Sequence, residues 1–84
     1  MTYRIVTDSR VRAQIRALPG EALPLIAEAL SVLELTPWNG RPYNAAKPDG
    51  AMRNLDLADA RGFITYLVLD DQDRVDVLNV TWLG

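Results

Sequence analysis

Residues 63–83 read FITYLVLDDQDRVDVLNVTWL, and the fold is decided by how this stretch divides. Residues 63–69 are almost continuously apolar, as expected of a strand in the middle of a sheet. Residues 74–83 alternate apolar and polar, as a half-buried strand does. Only Asp70-Asp71-Gln72-Asp73 separates them, and a four-residue polar link makes its two strands antiparallel neighbours. Working backwards, residues 52–57 also alternate, and residues 58–61 form another short turn. The three strands therefore read as an antiparallel meander. Alternation puts Arg53, Leu55 and Leu57 on one face and Met52, Asn54 and Asp56 on the other. On the last strand, Leu78, Val80 and Trp82 point to the core. Asn79 and Thr81, with Thr65 on the neighbouring strand, point to the opposite face.

Upstream the apolar period changes from two to about 3.6. Val11, Ile15 and Leu18 line one face of a helix that Asp8 or Ser9 can cap and that Pro19-Gly20 ends. A second helix is predicted over residues 21–35, with Pro24 tolerated in its first turn. Leu23, Ile26, Ala27, Leu30 and Leu33 make a wide stripe, broadened by Leu25, Val32 and Leu35, which predicts a well-buried helix. Thr36-Pro37 stops it. Tyr3-Arg4-Ile5-Val6-Thr7 reads as an opening strand. The expected architecture is α+β, ordered β-α-α-β-β-β, over one domain at residues 1–84. A helical hairpin covers one face of a four-stranded, mostly antiparallel sheet, and Leu30→Ala is expected to cost about 2–5 kcal/mol.

Composition narrows the chemistry. The 84 residues include no His and no Cys. Ser-His-Asp catalysis, thiolate zinc sites and disulfides are therefore excluded. Net charge is −2. Residues 1–53 hold seven Lys/Arg and five Asp/Glu, a balance of +2, whereas residues 54–84 hold two and six, a balance of −4. No apolar run approaches the roughly 20 residues that a membrane-spanning helix needs. The opening Met1-Thr2-Tyr3-Arg4 has no apolar leader, so the expectation is a chain complete at its N-terminus and a cytoplasmic location. Asp70, Asp71 and Asp73 lack the Gly and distal Glu of a calcium loop and read as a solvated turn.

Residues 38–50 are rich in Asn, Gly and Pro and form a long loop, the kind that is functional or mobile in a small domain. Arg41, Tyr43 and Lys47 interleave cations with an aromatic ring there, a pattern that suits single-stranded RNA. Trp38 is expected to plug the end of the helical hairpin.

Several short stretches come in a fixed order across almost the whole chain. They are Tyr3-Arg4-Ile5, Leu18-Pro19, Leu35-Thr36-Pro37, Arg53-Asn54-Leu55-Asp56-Leu57, Gly62-Phe63-Ile64-Thr65-Tyr66 and a Val-rich final strand. In this order and at these spacings they resemble the RelE/ParE superfamily of bacterial toxins. The resemblance implies the toxin of a type II toxin–antitoxin pair, with a cognate antitoxin as protein partner. It implies metal-independent, ribosome-dependent mRNA cleavage, in which a 2′-hydroxyl attacks the adjacent phosphate and Lys and Arg side chains stabilise the developing charge. No cofactor or metal is implied.

On this resemblance Arg53 falls at a basic, phosphate-facing position. Arg61 stands in for the Arg that the RNA-cutting members carry after Gly-aromatic, where this chain has Ile64. Arg53 and Arg61 are thus the candidate catalytic residues, and Arg41, Tyr43 and Lys47 the candidate RNA-binding residues. A structural Arg53 paired with an Asp remains an equal reading. The acidic charge and a final strand ending Thr81-Trp82-Leu83-Gly84, without the usual basic or His residue, leave an alternative. That alternative is a non-catalytic member of the fold that acts by protein binding, as a gyrase poison or as a decayed toxin that binds only its antitoxin.

Overall fold

The computed structural model describes residues 2–84, so Met1, and with it the expectation of a complete N-terminus, lies outside the described residues. Strand β1 (Arg4–Val6) runs into helix α1 (Ser9–Arg16). Asp8 caps that helix, its Oδ1 accepting from the Val11 N–H at 2.8 Å. A 3-10 turn over Gly20–Ala22 leads into α2 (Leu23–Leu35), two residues later than the sequence predicts, with Pro24 in its first turn. Four strands follow: β2 (Arg41–Pro42), β3 (Met52–Asp56), β4 (Gly62–Leu69) and β5 (Arg74–Trp82).

The sheet order is β1-β5-β4-β3-β2, with β1 parallel to β5 and every other pair antiparallel. The helical hairpin carries the chain across one face from the first edge to the opposite one, and the meander brings it back beside β1. The sheet thus has five strands rather than four. The fifth is the two-residue β2, inside what the sequence reads as loop. Arg41 pairs with Asn54 and Pro42 with Arg53. Its proline is tolerated because β2 is an edge strand, where a missing N–H breaks no further ladder.

Val11, Ile26, Leu33, Ile64, Tyr66, Val75, Val77 and Val80 form the buried core. Two expectations need correction. Helix α2 is not well buried, because Leu23 and Leu35 are 45% and 65% exposed and only Ile26, Ala29 and Leu33 are fully covered. A helix crossing one face of a sheet buries only its contact stripe. Leu30 lies at the margin of that stripe, packed against the core but only partly buried. We therefore expect Leu33→Ala to cost about 2–5 kcal/mol and Leu30→Ala clearly less, in urea denaturation of the two variants side by side.

The second correction concerns Leu78. Thr65 pairs with Asn79 but Tyr66 pairs with Val77, so β5 carries one extra residue, a β-bulge. The bulge resets the alternation, and Val75, Val77, Val80 and Trp82 all reach the core side. Leu78 is released to line the other face with Asn79 and Thr81. The backbone groups disturbed there are covered from α1. Arg10 donates to the Leu78 carbonyl, and the Gln14 Oε1 accepts from the Val80 N–H at 2.9 Å.

Candidate nucleic-acid interface

Loop 38–50 is fastened from beneath by one side chain. Arg53 follows the alternation of β3 onto the helix side and is only 8% exposed. Its Nε and Nη2 donate to the Gly40 carbonyl at 3.0 and 2.8 Å. Its Nη1 donates to the carbonyls of Pro48 and Gly50, both at 3.1 Å. One guanidinium thus ties the start of the loop to its end. The Trp38 ring lies against it, 5.2 Å from the guanidinium carbon to the ring centre. Arg53 is therefore neither paired with an Asp nor turned to the open face. Its partners are three backbone carbonyls, which a planar fork with five donors can satisfy together.

Tyr66, beside Arg53 on β4, completes this knot. Its hydroxyl donates to the Pro37 carbonyl at 2.6 Å and accepts from the Gly40 N–H at 3.1 Å. Burial pushes the Tyr66 phenol above its ordinary 10.0, against the opposing pull of the Gly40 N–H and the Arg53 charge. The Tyr3 phenol is raised as well, first by its hydrogen bond to the Asp70 carboxylate. Trp38 Nε1 donates to the same Asp70 oxygen at 3.3 Å, and the residue is 41% exposed with its ring against Arg53, so Trp38 is not the buried plug of the helical hairpin that the sequence predicts.

In both tyrosines the folded state favours the neutral phenol. The stability this lends is complete below about pH 10 and is lost as pH rises through the raised folded values. Denaturation midpoints should stay level through neutrality on this account and fall above about pH 10. The fall should be shallower in Tyr66→Phe.

With Arg53 beneath it, the loop presents its other candidates to the open face of the sheet. Arg41 lies over Phe63, 5.8 Å from guanidinium carbon to ring centre, and pairs with Asp56 at 2.8 Å. Tyr43 is 57% exposed. Tyr43 and Lys47 border a hollow against Met52 and Leu67, and Tyr43 and Met52 also border a groove that runs on to Asn54, Thr65 and Thr81. Arg10 stands at that groove too, reaching it past the stretch of β5 that β1 leaves uncovered.

The polar residues of the face are linked to one another. Thr65 donates to Asn54 Oδ1 at 2.6 Å, Asn79 Nδ2 donates to Thr81 Oγ1 at 2.9 Å, and Gln14 Nε2 donates to Asn79 Oδ1 at 2.8 Å. Arg61 is elsewhere. Its guanidinium lies on Trp82 at 4.9 Å and pairs with Glu21 at 3.1 Å, beside the turn between the helices.

The structure therefore brings Tyr43 and Lys47 together at one hollow, places Arg41 beside the adjoining groove over Phe63, and leaves Arg53 and Arg61 away from both. Sequence reading missed Arg10, Gln14 and Asn54. The first two become visible only once the bulge is recognised. The apolar spacing of Val75, Val77, Val80 and Trp82, with one step of three among steps of two, is the signal that reveals it.

No family model and no curated protein matches this sequence. Solved structures do match. An arginine-to-alanine double mutant of the E. coli toxin RelE, in the free state, superposes with a TM-score of 0.78 at 20% identity, over 98% of this chain and 84% of that one. This chain has the RelE toxin fold. The RelBE2 toxin–antitoxin complex from Mycobacterium tuberculosis gives 0.78 at 19% identity, over 98% and 99% of the two chains. The archaeal RelE–RelB complex from Pyrococcus horikoshii gives 0.69 at 17%, over 100% and 98%. Among the described residues no helix is long and apolar enough to cross a membrane.

Proposed function

We propose that this chain is the toxin component of a cytoplasmic toxin–antitoxin pair, that a cognate antitoxin binds it, and that it acts on mRNA through the open face of its sheet. The observation that supports this reading is that two adjoining hollows on the open face of a RelE fold share Tyr43, with Lys47 lining one, Arg10 the other, and Arg41 over Phe63 beside them. Aromatic rings and cations in alternation are what a single strand needs for its bases and its phosphates. The relatives in complex are toxins bound to antitoxins, which supports the partner.

Cleavage would proceed by attack of a 2′-hydroxyl on the neighbouring phosphorus, forming one O–P bond and breaking the bond to the 5′-oxygen. On this reading Lys47 and Arg10, with Arg41 drawn from Asp56, would stabilise the charge that builds there. Arg53 contributes by holding the loop. With no His in the chain, proton transfer falls to water, the surroundings of the 2′-hydroxyl or an unusual side-chain group, so rate enhancement rests mainly on electrostatics and is modest.

One observation favours a second, non-catalytic reading in which the same face binds a protein target such as gyrase, or the antitoxin alone. The guanidiniums of Arg53, Arg61 and Arg41 are already engaged by loop carbonyls, Glu21 and Asp56.

Expression in a bacterial host, with growth and mRNA integrity followed together, separates the readings. Arrest with cleavage, both abolished in Arg41→Ala/Lys47→Ala, is the expected result. Arrest with intact mRNA points to the protein target. No arrest from folded protein leaves the antitoxin-binding module. Co-expression with the product of the adjacent reading frame should yield a complex. Partner in excess at about 100 times its Kd should raise apparent stability by about 2.7 kcal/mol.

A further inference from the structure

The loop borders an open hollow of about 540 Å³ at one end of the open face. That volume lies in the range that takes a small ligand. Its floor is Met52 and Leu67, its rim the Tyr43 ring and Lys47. The charge there is one-sided, since Lys47 brings a cation and no Asp or Glu lines the hollow.

We propose that this hollow is a nucleobase subsite, in which one base of a single strand stacks on Tyr43 above Met52 and Leu67 while Lys47 takes the flanking phosphate. The proposal deepens the RNA reading above and rests on it.

Three features support it. The exposed Tyr43 ring offers a stacking face at a rim rather than a side chain committed to the core. Asn44 spends its Oδ1 on the Ala46 N–H at 3.0 Å, which leaves its amide donors for a base edge. The hollow shares Tyr43 and Met52 with the groove beyond, so the strand can continue towards Asn54, Thr81 and Arg10. The site is also preformed. Arg53 binds both ends of the loop, so little ordering is left to oppose binding.

The test uses the full chain, labelled with 15N, and a five-nucleotide adenylate RNA as probe, with inorganic phosphate as control. RNA should shift the amides of residues 43–52 and of Leu67, and phosphate should disturb only those near Lys47. Tyr43→Ala should weaken binding about ten-fold or more. Lys47→Ala should lower the slope of log affinity against log salt by about 0.7, the share of one phosphate. Both side chains are exposed, so neither variant threatens the fold.

Shifts confined to the Arg10 end, with affinity unchanged in Tyr43→Ala, would overturn the subsite while leaving RNA binding in place. Shifts of the same amides with the antitoxin but not with RNA would assign the hollow to a protein segment and overturn the proposal. No shift with RNA at millimolar concentration would also overturn it, and the growth-and-cleavage assay then reads separately whether the chain acts on RNA at all.

Discussion

Arg53→Ala should remove as much stability as truncating a fully buried aliphatic core residue such as Leu33, and the loss should concentrate in residues 37–50. The side chain donates to the carbonyls of Gly40, Pro48 and Gly50 from a position that is 8% exposed. Each buried acceptor left without a donor costs about 1–3 kcal/mol. Pro48 and Gly50 can regain water if the loop lifts, but Gly40 lies between Tyr66 and β3 and cannot. Trp38 also loses its guanidinium. Together these place the expected cost at about 3–5 kcal/mol, a large fraction of the total for so small a domain.

Arg53→Lys should recover only part of it. An ammonium can reach one of the three carbonyls well but cannot fork between the two ends of the loop. Urea denaturation gives the totals, and amide exchange over residues 40–50 shows whether the loop opens before the sheet. If Arg53→Ala instead keeps wild-type stability and loses activity alone, the loop does not depend on the guanidinium and the phosphate-facing role regains its standing.

This residue also shows what the sequence conveys and what it withholds. Alternation in residues 52–57 correctly places Arg53 on the side of Leu55 and Leu57. The partners it meets there are carbonyls thirteen, five and three residues earlier in the chain, and carbonyls carry no side-chain signature. The meander, the helical hairpin and the pairing of the first strand with a later one follow from period and turn length, which are local quantities. Strand β2 escaped because two residues have no period. Leu78 was misplaced because strict alternation was carried through a bulge. Tyr43 and Lys47 meet at one hollow because they share one loop, while Arg41 goes to Phe63 and Asp56. Arg61 does not join them, because a long side chain at a turn goes to the nearest ring and carboxylate, here Trp82 and Glu21, and the sequence does not say which those are.

Gly40→Ala should be, with Gly62→Ala, among the most damaging substitutions of a residue that carries no side chain. The Gly40 backbone is extended, at φ −73° and ψ 164°, so alanine meets no torsional objection there. The objection is steric. A Cβ at this position would collide with the Tyr66 hydroxyl and with the backbone carbonyl of Asn54. The hydroxyl could swing away only by giving up Pro37 and the Gly40 N–H, and the carbonyl belongs to β3 and has nowhere to go. Relief requires lifting residues 37–40 off the sheet, which also releases Arg53 from its principal acceptor.

We expect a loss of at least about 3 kcal/mol, at the far end of what single substitutions do. Gly20→Ala is the control, since nothing lies within 4 Å of a Cβ there, and it should be near neutral. Adding Tyr66→Phe to Gly40→Ala removes the first obstacle and leaves the second, so rescue should be partial. Full rescue would place the clash at the hydroxyl alone. Wild-type stability in Gly40→Ala itself, by thermal melting, would mean that residues 37–40 part freely from β3. The knot beneath the loop would then be open at Gly40, and the position of Tyr43 and Lys47 over the sheet would rest on the ladder pairs of β2, the Tyr43 N–H to the Met52 carbonyl and the Arg53 bonds to Pro48 and Gly50.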